Sequence, residues 1–424
     1  MKKRKAVLLI VAVFLFGAYW ALSCVVSQLG QGKKVYFSSP ESIFWKVKSI
    51  DTMKYSRDLA GEKLNDSDFV QEVEWQIFAI AKTGATHVAI GTPYDEQFHP
   101  FLRLWVDTAR KHNLKVWFRG NWSAWEGWFG FSQNMTRQQH IEKTEKFIID
   151  HPDFFSDGDI FSSCPECENG KPGDPRHNDD LLGHRKFIAE EYLVAKKAFK
   201  TIGKDVKANY FSMNGDVARL VMNKETTKKL DGIVVIDHYV ASPEQLVSDI
   251  KEISNESGGK VVLGEWGVPI PDIHGKMTED QKADWMSKAL DGMVDLGDIL
   301  VGMNYWAAFG GSAALWAEGE KNSKTSEVLQ KYFSPQLVYG RVIDEFGNPI
   351  SRARVSVADK EIFSANDGYF EFYSLEKVNT FSVAAEGYFS KSVDISEEEG
   401  QQRDIFLMKE KRDFISKLLL WLKK

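Results

Sequence analysis

Basic charge is what this sequence most plainly lacks: across 424 residues the formal net charge is −6. No electrostatic footprint for nucleic acid exists, and none is expected as a partner. Phosphate-cradling glycine loops are missing too. No GxGxxG or Walker pattern follows any strand-like run, which counts against a nucleotide enzyme, and no cofactor or metal is expected. Charge of either sign is absent from Ala6 to Gly32, directly after Lys2, Lys3, Arg4 and Lys5. The apolar part of that stretch, Ala6 to Val26, is about long enough to cross a bilayer as a transmembrane helix, and basic residues ahead of it predict a cytoplasmic N-terminus and an external body. A cleaved signal peptide has the same outline. Cys24 also raises lipoprotein processing, although Ala21-Leu22-Ser23 is a poor lipobox. Export is common to all three, so the expected location is membrane-anchored and extracytoplasmic, or secreted.

What is present is globular: 43% of residues are hydrophobic and 27% charged, neither disordered nor wholly membrane-embedded. The length accommodates a barrel of roughly 250 to 300 residues with a smaller module beside it. Residues 1–26 read as anchor or signal, 27–40 as a polar linker, 41–334 as the main domain, 335–409 as a small all-β domain and 410–424 as a basic amphipathic tail. In that tail Phe414, Ile415, Leu418, Leu419 and Leu422 share one helical face among lysines, a pattern that suits either an anionic membrane surface or docking on the protein itself.

Within the main domain, strand-like runs alternate with amphipathic helical stretches. Strands are expected at Trp45–Ile50, Thr86–Ile90, Leu114–Phe118, Asp159–Ser163, Lys207–Ser212, Gly232–Asp237, Val261–Leu263 and Ile299–Tyr305. Helices fall between them, for example Phe69–Lys82, Arg137–Asp150, Val217–Leu230 and Glu279–Leu296. Eight such units predict an α/β fold, a (β/α)8 TIM barrel, rather than an open doubly wound sheet.

In such a barrel the chemistry sits at the carboxyl ends of the strands. The run Lys260–Pro269, KVVLGEWGVP, delivers Glu265 and Trp266 there, the second an apolar plate for a sugar ring. Asp159–Gly170, DIFSSCPECENG, supplies Glu166 and Glu168, which alternate and so can share a side. Two carboxylates across a barrel mouth are what glycosidic hydrolysis needs. The segment Pro165-Glu166-Cys167-Glu168-Asn169 resembles the S-P-x-N-E-P motif of glycoside hydrolase clan A, retaining barrel enzymes with an acid/base glutamate after strand four and a nucleophile after strand seven. The resemblance spans about Trp45 to Tyr332. It implies Glu168 as acid/base and Glu265 as nucleophile. Because the family's Asn before the acid is Cys167 here, Glu166 is the alternative acid.

The same resemblance implies roles for His238 and Tyr239 after strand six, the Tyr bonding to the nucleophile, and for Asn304 and Trp306 after strand eight, the Trp under the bound sugar. Arg119 after strand three and Asn209 on strand five could orient the nucleophile or a sugar hydroxyl. Asp51, Lys54 and Arg57 could add hydrogen bonds, and Asn121 lies in the loop after strand three. Thirteen Trp is a high count, and Trp122, Trp125, Trp128 and Trp316 fall in predicted loops, where they read either as stacking platforms or as loop packing. Cys164 and Cys167 read as a local disulfide shaping the acid-bearing loop; with His177 and His184 they are alternatively a zinc set of unfamiliar spacing.

From Ser334-Pro335 the pattern changes to short strands and turns. The residues G-R-V-x-D-x-x-G-N-P-I from Gly340, N-D-G-Y-F-E-F from Asn366 and V-A-A-E-G-Y from Val383 resemble carboxypeptidase regulatory-like domains, which implies a small β-sandwich with an accessory role. The expected function is a retaining glycosidase acting on an oligo- or polysaccharide with β-linkages. A catalytically inactive glycan-binding barrel and a transglycosylase are the alternatives.

Overall fold

The computed structural model describes residues 35–36, 45–317, 323–357, 360–395 and 403–410. The chain divides into two compact units, 41–334 and the combination of 1–40 with 335–424. The expected N-terminal membrane helix and the basic tail lie outside the described residues. Among the described residues no helix is long and apolar enough to cross a membrane.

The larger unit is built on eight parallel strands: β1 Val47–Asp51, β2 His87–Ile90, β3 Lys115–Phe118, β4 Ile160–Phe161, β5 Ser212–Asn214, β6 Ile233–Asp237, β7 Lys260–Trp266 and β8 Leu300–Tyr305. They follow the order β4-β3-β2-β1-β8-β7-β6-β5. The ring closes between β4 and β5 through a parallel bridge from Ile160 to Lys207. Backbone bonds from Phe161 N to Lys207 O (2.8 Å) and from Lys207 N to Asp159 O (3.0 Å) complete that seam. This is the (β/α)8 barrel expected from the alternation. Its interior is filled by Val47, Ala89, Trp117, Ile160, Tyr210, Val235 and Val262, one from nearly every strand, all buried. Bulky side chains pointing inward make this a packed core and not a pore.

Helices follow the strands as the apolar period predicts. α1 Phe69–Lys82, α2 His99–Lys111, α3 Arg137–Asp150, α4 Leu181–Thr201, α5 Gly215–Val221, α6 Lys224–Lys229, α7 Pro243–Ser257, α8 Glu279–Val294 and α9 Lys324–Phe333 each bury one face. Starts are set by caps. Thr136 and Gln139 form a capping box on α3, as do Thr278 and Gln281 on α8, each satisfying donors the first turn would leave orphaned. The single helix expected over 217–230 is broken in two because Asn223 accepts from Thr226 N and starts α6 afresh.

The smaller unit consists of two four-stranded sheets. Its strands are β9 Gln336–Asp344, β10 Arg354–Val357, β11 Lys360–Phe363, β12 Tyr369–Ser374, β13 Thr380–Ala384, β14 Lys391–Asp394 and β15 Arg403–Leu407. A shared core of Val342, Val355, Phe370, Phe372, Phe381, Val383, Ile405 and neighbours lies within it, which is the expected all-β architecture. The segment read as a plain linker is corrected here: Val35–Tyr36 forms a strand antiparallel to β12, pairing with Ser374 and Tyr373. Two residues with no apolar alternation carry no strand signal of their own. Their pairing comes from an open edge of the sheet.

One buried carboxylate ties the amino ends of β3 and β4 together. Asp159 is fully buried and accepts from Val116 N (2.9 Å) and Ser156 N (2.8 Å) while Arg110 forks onto it. Replacing Asp159 with Ala is expected to cost about 3 kcal/mol, since the backbone donors and the guanidinium lose their partner together. Urea denaturation at neutral pH measures it.

Candidate active site

The carboxyl ends of the strands converge on one guanidinium. Arg119 follows β3 and is 1% exposed. Its Nη2 lies 2.8 Å from Glu265 Oε1 and 3.3 Å from Asp237 Oδ2, and its Nε lies 3.6 Å from Asp51 Oδ2. Its Nη1 donates to the carbonyl of Gly264. That carbonyl also takes Asn304 Nδ2 at 2.9 Å, and Asn304 in turn bonds Asp51 at 2.9 Å. Strands one, three, six, seven and eight thus meet at a single positive charge.

The backbone reason lies in β7. The register against β6 slips between Leu263 and Glu265, so that Asp237 pairs with Glu265 and the carbonyl of Gly264 is free for Arg119. Glycine is required there: a Cβ on residue 264 would stand 2.3 Å from Asp237 Oδ1 and 2.9 Å from the Ser212 Cβ. The bulge re-aims Glu265 toward the cleft, the ordinary use of such a slip beside a site.

Glu265 is held at both oxygens, by Arg119 at Oε1 and by the Tyr239 hydroxyl at Oε2, 2.9 Å away. Burial and then the Asp237 charge push its carboxyl above the usual range, and Arg119 opposes them. The Tyr239 hydroxyl is driven far above its ordinary value by burial and by Glu265, so it stays a proton donor. Arg119 loses by burial and gains more from Asp237, Glu265 and Asp51, and remains charged. Asp51 is raised by burial against the pull of Arg119.

The loop after β4 brings the second set of carboxylates. Cys164 and Cys167 form the expected local disulfide, with Cα atoms 5.2 Å apart; among the described residues no cluster of His, Cys, Asp and Glu could hold a metal. The bridge encloses Pro165 and Glu166, and Glu166 takes a left-handed backbone, φ 46°, unusual outside glycine and a hint of function. Glu166 N donates to Ser212 O at 2.8 Å. Burial raises its carboxyl, then Asp237, with Arg119 and Arg57 opposing. Its charge is felt at both Glu265 and Arg119. Glu168 is 3% exposed, its Oε1 accepts from Asn214 N at 2.9 Å, and burial, with Glu166 and Asp237 adding to it, lifts it to about 7.

The floor is aromatic. Trp306 is partly exposed, its ring 6.1 Å from that of Tyr239, with the Lys54 ammonium 5.6 Å above it. Several other expected contacts are structural. Trp122 packs on Tyr94 and Phe147, Trp125 on His140 and Phe187, and Trp266, fully buried, on Tyr305. The His238 ring turns away to Asp249, 2.7 Å off. Asn209 stands ahead of β5, donating to Leu230 O at 2.9 Å, on a strand end remote from the cleft. Asn121 is buried and acts on Glu126, donating to its Oε1 at 2.7 Å. Sequence reasoning left out Asp237, Glu126 and Asn214. Asp237 and Asn214 end their strands, which was signal enough; Glu126 sits among tryptophans in the loop after β3, where nothing in the pattern marks it.

The fold and site define a (β/α)8-barrel protein with a carboxylate-lined cleft at the carboxyl ends of its strands. No family model and no curated relative matches the chain. Among solved structures it is similar to a β-glycosidase at 13% identity and a TM-score of 0.48, over 70% of this chain and 97% of the other. It is likewise similar to a family 1 β-glucosidase from Thermotoga maritima at 10% identity and 0.45, over 70% and 98%. A Bacteroidetes-affiliated family 5 cellulase linked with a polysaccharide utilization locus is a third, at 12% and 0.45, over 62% and 84%. Likeness of this depth adds nothing to what the strand order already establishes.

Replacing Arg119 with Met is expected to destabilise the barrel by about 3 to 5 kcal/mol, because three buried carboxylates lose the cation they share. Their ionised forms suffer most, so denaturation midpoints of the variant are expected to recover as pH falls and the carboxyls take up protons.

Proposed function

We propose that the cleft hydrolyses a β-linked glycosidic bond in an oligo- or polysaccharide with retention of configuration. One observation carries this: Glu265, fixed from two sides by Arg119 and Tyr239, has Glu166 within electrostatic reach from the disulfide-bound loop after β4, and the partly exposed indole of Trp306 lies beside Tyr239. Double displacement needs these parts. Glu265 attacks the anomeric carbon while Glu166 gives its proton to the departing oxygen, leaving a glycosyl-enzyme ester. Glu166 then takes a proton from water, whose oxygen displaces Glu265 from the same carbon. Glu166 is preferred over Glu168 as acid because its charge acts on Glu265 and Arg119, whereas Glu168 is engaged by the Asn214 backbone. A disulfide in the acid loop suits an oxidising compartment, in keeping with export and a membrane tether through the N-terminal segment.

The test is substitution with rescue on aryl β-glycosides. Glu265→Gln is expected to lower kcat at least about a thousandfold, the range over which a covalent nucleophile acts. Glu166→Ala is expected to keep activity on substrates with good leaving groups and to be accelerated by azide with formation of a β-glycosyl azide. Normal turnover by Glu265→Gln, or azide rescue confined to Glu168→Ala, would overturn the respective assignment. A sugar acceptor that captures the intermediate in place of water would make the protein a transglycosylase.

The pH profile follows from the same groups. Glu265 must be ionised and Glu166 protonated, and both carboxyls are raised. Activity is therefore expected to rise at a pH above the ordinary carboxylate range and to be retained beyond it, falling only as pH climbs through the raised value of the acid. The two limbs belong to the interacting pair. A profile of kcat/KM from pH 4 to 9 checks the displacement of both limbs.

A further inference from the structure

Once Glu265 and Glu166 have their tasks, two carboxylates in the same cleft are left over. Glu126 ends the short helix Ser123–Glu126 after β3 and is held from behind by a buried chain. Its Oε1 accepts from Asn121 Nδ2 (2.7 Å), Asn121 Oδ1 receives His140 Nε2 (2.9 Å), and His140 Nδ1 lies 3.1 Å from Glu191. Asn121, His140 and Glu191 are all fully buried. This chain fixes the amide of Asn121 with its donor toward Glu126, so the carboxylate is oriented and not free to swing. On the other flank Glu168 is anchored at Oε1 by Asn214, while its Oε2 is buried without a partner.

Among the described residues no lysine, arginine or histidine forms an ion pair with Glu126, Glu166 or Glu168. Arg119 and Arg57 are the cations whose charge reaches Glu166, and Arg57 also reaches Glu126; Arg119 is held by Asp51, Asp237 and Glu265, and Arg57 is paired with Asp58 at 2.9 Å. Burial first, then mutual repulsion, lifts Glu126 to about 8 and Glu168 to about 7. Withdrawing acids from water without a direct ion-pair partner is costly, and a fold that orients one of them through three buried side chains is arranged to receive a cationic group. No three of these groups converge closely enough for a metal, so separate cationic groups fit the spacing where a single ion does not.

We infer that the glycan carries free amino groups: a β-linked hexosamine chain with unacetylated nitrogens, whose ammonium groups are received by Glu126 and Glu168, both within electrostatic reach of Glu166. The inference rests on the hydrolase reading for its cleft and goes beyond it in naming the substrate class. Each ammonium would donate a charge-assisted hydrogen bond to a carboxylate that has no ion-pair partner among the described residues. A proton is released whenever the receiving acid was still protonated.

Binding to the full-length Glu265→Gln protein separates this from turnover. Titration calorimetry at pH 7 with β-1,4-linked glucosamine, N-acetylglucosamine and glucose oligomers of equal length is expected to show affinity at least about tenfold higher for the amine, as one charge-assisted bond provides. Repeating the titration below pH 7, where the amines are charged and both acids still hold their protons, in buffers of different ionisation enthalpy is expected to show proton release on amine binding only. Glu126→Gln and Glu168→Gln are each expected to narrow the ratio and reduce the proton count. Equal affinity for the three oligomers, binding of none, or an amine preference untouched by both substitutions would overturn the inference. Wild-type hydrolysis of the neutral oligomers without amine preference would do so while leaving the hydrolase intact. Amine-selective, proton-releasing binding with no hydrolysis by wild type would instead sink the hydrolase reading alone.

Discussion

A single buried guanidinium organises the carboxyl end of this barrel. Arg119 is surrounded by Asp51, Asp237 and Glu265 and by the carbonyl of Gly264, so groups from strands remote in sequence are tied to one point. Taking one cation and three anions out of water is expensive, and such a cluster is poor ground for stability by itself. Its value is in geometry. The charge that holds Glu265 still also opposes the burial that would neutralise it, and the same glycine bulge that frees a carbonyl for Arg119 turns Glu265 toward the cleft.

Around that centre the loops divide the labour. The β4 loop is cinched by Cys164–Cys167 with Glu166 inside the bridge, which fixes the backbone of the residue proposed as the acid. The β3 loop is anchored through Asn121, His140 and Glu191. Aromatic side chains behind both loops, Trp122, Trp125, Phe147 and Phe187 among them, hold them against α3 and α4. Preorganisation of this kind is what a site with developing charge requires.

Much of the barrel was legible because its helices have strong apolar periods and explicit caps. α1 and α3 run over the residues the period gives, and the Thr136–Gln139 box marks the start of α3. Strand five was not. Of the expected run Lys207–Ser212, Lys207 makes an isolated bridge and the Ser162 hydroxyl donates to the Tyr210 carbonyl in place of a ladder bond, so the paired residues shift to Ser212–Asn214. Asn209 is displaced from the cleft for the same reason. The ends of strands one, three, six, seven and eight could be read because polar residues stop each apolar run where the barrel opens. The tryptophans were the least readable. Complete burial of so large a side chain is worth about 2 to 3 kcal/mol or more, and for Trp122, Trp125 and Trp266 that outweighs any gain from waiting in solvent for a sugar; Trp306 alone of the four remains partly open.

The most direct measurement is covalent trapping at the centre of the cluster. The full-length protein would be incubated with a panel of dinitrophenyl 2-deoxy-2-fluoro-β-glycosides, digested, and mapped by mass spectrometry. The account predicts a glycosyl adduct on Glu265, absent from Glu265→Gln and much slower to form in a variant lacking Arg119. An adduct on Glu166, Glu168 or Asp237, or unmodified protein throughout the panel, would contradict the claim that Arg119 holds Glu265 as the nucleophile.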